Sequence, residues 1–235
     1  MWDLLVHNWP ALLALAASAY LLGSMNWAII LTRLFNKSDI REVGSGNAGT
    51  TNVLRSQGPV LAAMTLIGDV GKGVLATLLG GWLINAMQTV PTAESIDLTL
   101  VGQYAACLFV VLGHMYPVFH GFHGGKGVAT AAGLLFVLDW RVALVCLSVF
   151  IIVVAITRMV SLGSVLAVSL APFATFAARY WLDAFTMEMC VFCTCMITPV
   201  ALIIILKHSA NLRRIAAGTE SRIGEKVKKE DTEVQ

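Results

Sequence analysis

The sequence predicts an all-α polytopic membrane protein with about seven transmembrane helices. Three observations predict it. The 235 residues are 57% hydrophobic and only 13% charged, where ordinary soluble domains carry roughly 25% charged residues. Mean hydropathy is +0.78. The apolar residues also fall in runs of the length that a bilayer demands, about 17–25 residues for a helix.

The runs define the spans in order. The first extends from Pro10 to Leu34, the second from Pro59 to Met87 and the third from Leu98 to Phe119. The fourth covers only Val128 to Leu138, the fifth Val142 to Thr157, the sixth Val160 to Ala178 and the seventh Met189 to Leu206. A basic tail runs from about residue 207 to 235. No linker separates domains, so the chain reads as one integral-membrane domain, 1–235. The first run lacks a basic n-region, with Asp3 as its only early charge, and reads as a span rather than a cleavable signal peptide.

Lysine and arginine set the orientation. With seven crossings, one side collects Arg33, Lys37, Arg41, Arg55, Lys126, Arg158, Lys207, Arg213, Arg214, Arg222, Lys226, Lys228 and Lys229. The other side keeps Arg141 and Arg179, and Lys72 falls inside a span. The N-terminus is therefore expected outside, in the periplasm, and the C-terminus in the cytoplasm. The eleven-residue fourth run rises only about 16 Å. The charge count nevertheless asks it to cross, with Asp139, Trp140 and Arg141 at the outer interface.

The net charge of +2 gives no reason to expect a nucleic-acid partner. Cys107, Cys146, Cys190, Cys193 and Cys195 all lie in apolar runs, and their odd number argues against a disulfide framework. Cys193-Thr-Cys195 reads as packing rather than as a metal site, and no His/Cys or carboxylate set has metal spacing. No metal or cofactor is expected.

Polar chemistry gathers on the basic side. Gly44-Ser-Gly-Asn-Ala-Gly-Thr-Thr-Asn52 supplies glycines, hydroxyls and amides suited to a polyol or a phosphate, with Arg55 able to clamp a phosphate. Turn formation alone explains Ser, Asn and Gly, but not nine residues with no apolar side chain beyond Ala48 in so apolar a chain. Gly124-Gly-Lys126-Gly127 offers backbone amides and a cation, an anion cradle. It is not a Walker A loop, which needs glycine where His120 stands and Ser or Thr where Gly127 stands. Asp69 and Lys72, three apart inside the second span, share a helix face and read either as functional or as a mutually neutralising structural pair. His208, Asn211 and Arg214 lie within one arc of a helix. Dipole compensation explains the nearby cations, but not the His and Asn.

These motifs resemble the PlsY family of bacterial membrane glycerol-3-phosphate acyltransferases, from Gly23-Ser24 to Glu220. The first is Gly44–Asn52 with Arg55. The second is Gly113, His114, Pro117 and Gly124–Thr130. The third is His208, Asn211, Arg214, Gly218 and Glu220, and Asp69–Gly73 and Ser161–Ser164 also match. The chain departs from the family pattern at Ala48, Thr50 and His123. The resemblance implies transfer of an acyl group from acyl phosphate to glycerol 3-phosphate in the bacterial cytoplasmic (inner) membrane. Lysophosphatidic acid and phosphate would be the products, and an upstream enzyme would supply the acyl phosphate. It implies catalytic roles for Ser45, Arg55, Lys126, His208 and Asn211. Substrate binding would fall to Gly44, Gly46, Asn47, Thr51, Asn52, Lys72, His114, Gly124, Gly125, Gly127, Ser161 and Arg214. Asp69 and Glu220 would be structural. The proton acceptor stays open between His208 and a substrate phosphate.

Two rivals are weighed against this reading. No histidine is followed by the His-x-x-x-x-Asp spacing of acyltransferases that use acyl-CoA or acyl carrier protein. A transporter of an organic phosphate would place its polar groups near the midplane of interrupted helices, and only Asp69 and Lys72 speak for that.

Overall fold

A computed structural model describes residues 8–88 and 97–224. Asp3, Lys226, Lys228 and Lys229, part of the charge argument, lie outside them. The described residues form ten α-helices: α1 (Trp9–Ser24), α2 (Trp27–Asn36), α3 (Thr50–Gln57), α4 (Pro59–Ala86), α5 (Leu98–Met115), α6 (Val128–Leu138), α7 (Trp140–Thr157), α8 (Val160–Ala177), α9 (Met187–Lys207) and α10 (Ser209–Ala216). Six helical stretches, counting α1 and α2 together, are long and apolar enough to cross a membrane. The short α6 keeps the bounds expected of it.

Local chemistry sets most helix ends. Pro59 opens α4, where its missing N–H is no loss. Asp97 accepts from the amide of Leu100 at the start of α5, and Asp139 from that of Arg141 at the start of α7.

One expected span departs from the sequence reading. The run from Pro10 to Leu34 breaks at Met25–Asn26 into α1 and α2. The Asn26 side chain caps α2 by accepting from Ile29 N–H at 3.1 Å. The ammonium of Lys72, in α4, holds the freed carbonyls of Gly23 and Met25, each at 3.0 Å. The break is thus filled from another helix.

Small residues let the central helices approach backbone to backbone. A Cβ at Gly23 would stand 2.2 Å from Val110 O on α5, and one at Gly133 would stand 2.1 Å from Val70 O. The second contact seats α6 against α4. Such seams suit association in lipid, where apolar side chains alone give little preference for another helix. The core beside them holds Leu15, Tyr104, Met115, Leu134, Ile197 and Ile204.

At the end of the bundle away from the three motifs, Arg141 bridges Asp139 and Asp183, both at 2.7 Å. Arg179 pairs with Asp183 at 2.7 Å and donates to Leu138 O at 2.6 Å, capping α6. Arg179 sits on the wider helical turn Ala178–Leu182 that follows α8.

Candidate active site

The three motifs meet at the opposite end, and the α1–α2 break anchors them. Lys72 is buried, with Asp69 and the His114 ring each 2.9 Å from its ammonium as well as the two carbonyls. Its three protons all have protein acceptors. Lys72 and His114, expected to touch substrate, are instead buried in a network that holds the helix break. Asp69 and Lys72 pair across one turn of α4 inside that network.

The first motif is a loop and a helix rather than a loop alone. Residues from Thr50 onward form α3, which carries Thr51, Asn52 and Arg55. Gly44 and Gly46 have φ of +63° and +69°, the left-handed region that glycine enters freely. Asn52 is buried. Its amide donates to Ile40 O (3.1 Å) and Val43 O (2.8 Å), and its Oδ1 accepts from Ser45 N–H at 3.0 Å. Expected as a substrate contact, Asn52 instead pins the loop from beneath, because all of its polar atoms are engaged. That leaves Ser45 exposed at the crest, with Thr51 and Asn47 half-buried beside it.

The glycine-rich loop is folded back on α5. Gly124 N–H donates to Met115 O and Gly125 N–H to His114 O. Those two amides are spent inside the protein, contrary to their reading as cradle donors. The amides of Lys126 and Gly127 have no hydrogen-bond partner among the described residues, and they lead into the N-terminus of α6. Gly125 is required for space. A Cβ there would lie 2.3 Å from His114 Nε2 and 2.4 Å from Ala48 O, where the first two motifs touch. Arg41 joins them as well, donating to His120 O at 2.7 Å while Asp39 holds its other face.

The third motif brings the charges together. Glu220 accepts from Ser161 (2.6 Å) and Asn211 (2.7 Å) on one oxygen and from Arg214 (2.8 Å) on the other. Asn211 Oδ1 in turn accepts from the Lys126 ammonium. Arg55 donates to Ser221 O at 3.2 Å. Burial pushes Lys126 down to about 8, Glu220 partly offsets this, and Arg214 and Arg55 push the same way as burial. Burial would raise Glu220, but its hydrogen bonds from Ser161, Asn211 and Arg214 prevail and hold it below the usual carboxylate range.

His208 stands at the joint between α9 and α10, not within one continuous helix. Its Nδ1 lies 2.8 Å from Ile204 O. A carbonyl can only accept, so Nδ1 carries the proton and Nε2 keeps a lone pair. Burial pushes this imidazole down to about 4, a shift that the Ile204 carbonyl only partly offsets.

A cleft of about 580 Å³ opens between Arg41, Gly46, His123 and Gly124 on one side and Tyr116 and Lys207 on the other. A second, apolar groove of about 310 Å³ continues from it along Leu112, Ile203 and Leu206. Tyr116 and Lys207 border both, with the Lys207 ammonium 4.0 Å from the Tyr116 ring centre. In the sequence Arg41 reads only as a topology charge, and Lys207 as a topology charge and a helix-dipole cation. The aspartate two places before Arg41 was the available sign of a fixed side chain.

Fold and site together define an integral membrane protein that concentrates cations and free amides at one end of a helical bundle, beside an apolar groove. The comparisons with known proteins give that class a family. The family model described as glycerol-3-phosphate acyltransferase matches residues 13–218. A glycerol-3-phosphate acyltransferase of Clostridioides difficile (strain 630) is 40% identical over 212 residues, 90% of this chain and 95% of that protein. One from Ralstonia nicotianae is 38% identical over 218 residues, 93% of this chain and 97% of its own. The crystal structure of PlsY, an integral membrane glycerol 3-phosphate acyltransferase, in its glycerol 3-phosphate form superposes with a TM-score of 0.72. It is 32% identical and covers 91% of this chain and 96% of its own; its lysophosphatidic acid form gives the same TM-score. The chain belongs to the glycerol-3-phosphate acyltransferase family.

Proposed function

We propose that the protein transfers an acyl group from acyl phosphate to a hydroxyl of glycerol 3-phosphate, releasing lysophosphatidic acid and phosphate at the cytoplasmic face of a bacterial inner membrane. The single observation that carries the proposal is a gathering of cations at the motif end, where Lys207 borders an apolar groove. Among the described residues, Arg55, Lys126 and Arg214 lie near one another, with Glu220 bonded to Arg214 and acting on Lys126. A lipid donor with a phosphate head and a phosphorylated acceptor would supply the missing anions. The basic residues gathered on this side of the chain favour the cytoplasm. An upstream enzyme that forms acyl phosphate would then feed the site from the same side.

In the reaction the acceptor hydroxyl oxygen bonds to the acyl carbonyl carbon, and the bond from that carbon to the phosphate oxygen breaks. Lys126 and Arg55 hold phosphate charge, and the amides of Lys126 and Gly127 stand ready for the developing oxyanion. Ser45, exposed on its loop crest, serves as a binding or oxyanion contact rather than a nucleophile. The hydroxyl proton needs an acceptor. An imidazole held near 4 is a weak base at neutral pH, whereas a phosphate ester has its second ionisation near about 6. The departing phosphate is therefore the better acceptor, with the His208 Nε2 lone pair orienting the hydroxyl. Acyl phosphate already carries a good leaving group, so positioning suffices without a covalent intermediate. Asp69 and Lys72, which alone spoke for transport, are engaged at the helix break.

The test is phosphate release by the purified protein given palmitoyl phosphate and glycerol 3-phosphate, with palmitoyl-CoA as a parallel donor. The expected result is release that requires both substrates, has no counterpart with palmitoyl-CoA, and falls about 10²–10³-fold in Arg55→Ala. Turnover with palmitoyl-CoA alone would overturn the choice of donor, and no turnover by folded protein would overturn the enzyme.

A further inference from the structure

The segment after α10 turns at Gly218 (φ +70°) and returns through Thr219 to Gly224 as a strap over the charge cluster. Two of its residues reach the candidate catalytic cations. Glu220 holds Asn211, whose oxygen receives Lys126, and the Ser221 carbonyl receives Arg55.

Arg158 holds the far end of the strap. Ile223 N–H donates to the Arg158 carbonyl at 2.8 Å. The Ile223 carbonyl accepts from both Nε and Nη2 of Arg158, at 3.0 and 2.5 Å. A Cβ at Gly224 would stand 2.7 Å from Arg158 Nη2, so the glycine lets the guanidinium lie along the strap. Arg158 itself caps the end of α7 at φ +61°. Helices commonly end on glycine or asparagine in that conformation. An arginine there accepts an unfavourable backbone for its side chain. As a topology charge, any cation in the α7–α8 loop would serve. Two donors placed on one carbonyl make a demand that a planar fork meets and a single ammonium meets only in part.

We propose that Arg158 is a positioning residue for the acyl transfer: by clasping the strap at Ile223 it holds Glu220 and Ser221 where they set Lys126 and Arg55. The proposal rests on the reading that those two cations meet the substrates.

The experiment compares Arg158→Ala and Arg158→Lys with the wild-type full-length protein. It measures kinetics against glycerol 3-phosphate from pH 6 to 10, with the thermal unfolding midpoint alongside. Arg158→Ala is expected to lose about tenfold in kcat/KM, the order expected when a supporting contact is displaced, with its unfolding midpoint near that of the wild type. Its alkaline loss of activity moves to lower pH, because Glu220 no longer supports the charge of Lys126. Arg158→Lys recovers much of both. Wild-type kinetics and an unmoved alkaline limb in Arg158→Ala overturn the proposal. So does a loss of activity that merely tracks the folded fraction. If Arg158→Ala does not fold, Arg158→Gln decides: a limb displaced to lower pH supports the proposal, and an unmoved one overturns it. The assay uses whichever of palmitoyl phosphate and palmitoyl-CoA the wild type turns over. A wrong donor therefore appears in the wild type, and a wrong role for Arg158 only in the comparison.

Discussion

Two polar clusters close the two ends of the same bundle, and they differ in how their charges balance. Away from the motifs, Asp139 and Asp183 face Arg141 and Arg179, two charges against two, with a third helix tied in through Leu138 O. At the motif end, Arg55, Lys126 and Arg214 gather, and among the described residues Glu220 is the carboxylate bonded to Arg214 and supporting the charge of Lys126. A neutral cluster satisfies itself and acts as a staple. A surplus of one charge costs stability through self-repulsion, and a protein keeps it where an anion is to be received. Charge balance, more than the number of polar residues, separates the two ends.

Arg179 is where the two ends of the bundle should differ most on substitution. Removing one member of a buried ion network costs about 3–5 kcal/mol, because its partner is left uncompensated. Arg179→Met is expected to lower stability by that order, while activity per folded molecule stays within about twofold of wild type, well inside the tenfold step of 1.4 kcal/mol. Chemical denaturation and activity measured on the same preparation check this. A stable variant without activity would mean that the far end also serves the chemistry.

The next effect sharpens the contrast through pH. Lys126 sits near 8, well below an ordinary lysine, mainly through burial. Its cation is the form that holds phosphate, so kcat/KM is expected to be full below about 8 and to fall as pH rises through it. Lys126→Arg keeps the charge at every accessible pH and should remove that limb even if it lowers the rate. An alkaline limb that survives Lys126→Arg assigns the ionisation elsewhere.

What the sequence discloses follows from how local each cause is. The bounds of α6 are legible because Gly127 and Asp139 punctuate the run beside them. The break at Met25–Asn26 is not, because the run stays apolar and its carbonyls are held by Lys72, 47 and 49 residues away along the chain. The motifs show which residues gather but not which way they face. Asn52 and Ser45 look alike as polar loop residues, yet one is turned inward to pin the loop and the other stands exposed. Gly124 and Gly125 show the same limit. A glycine-rich stretch advertises free amides, and only the fold shows that Met115 and His114 have taken two of them.

The smallest effect concerns how far the positive surplus extends. Lys207 stands at the boundary of the cleft and the apolar groove, its ammonium over the Tyr116 ring. If the donor lies with its phosphate in the cleft and its chain in the groove, Lys207 touches the donor's head, and the acceptor is held from the Arg55 and Lys126 side. A contact of this half-exposed kind is worth about 0.5–1 kcal/mol, a factor of about two to five. Lys207→Met should therefore raise KM for the acyl donor by that factor and leave KM for glycerol 3-phosphate unchanged. Steady-state titration of each substrate at saturating levels of the other separates the two. Equal rises in both would place Lys207 within a shared anion field, and a rise for glycerol 3-phosphate alone would put the acceptor in the cleft and the donor on the Arg55 side.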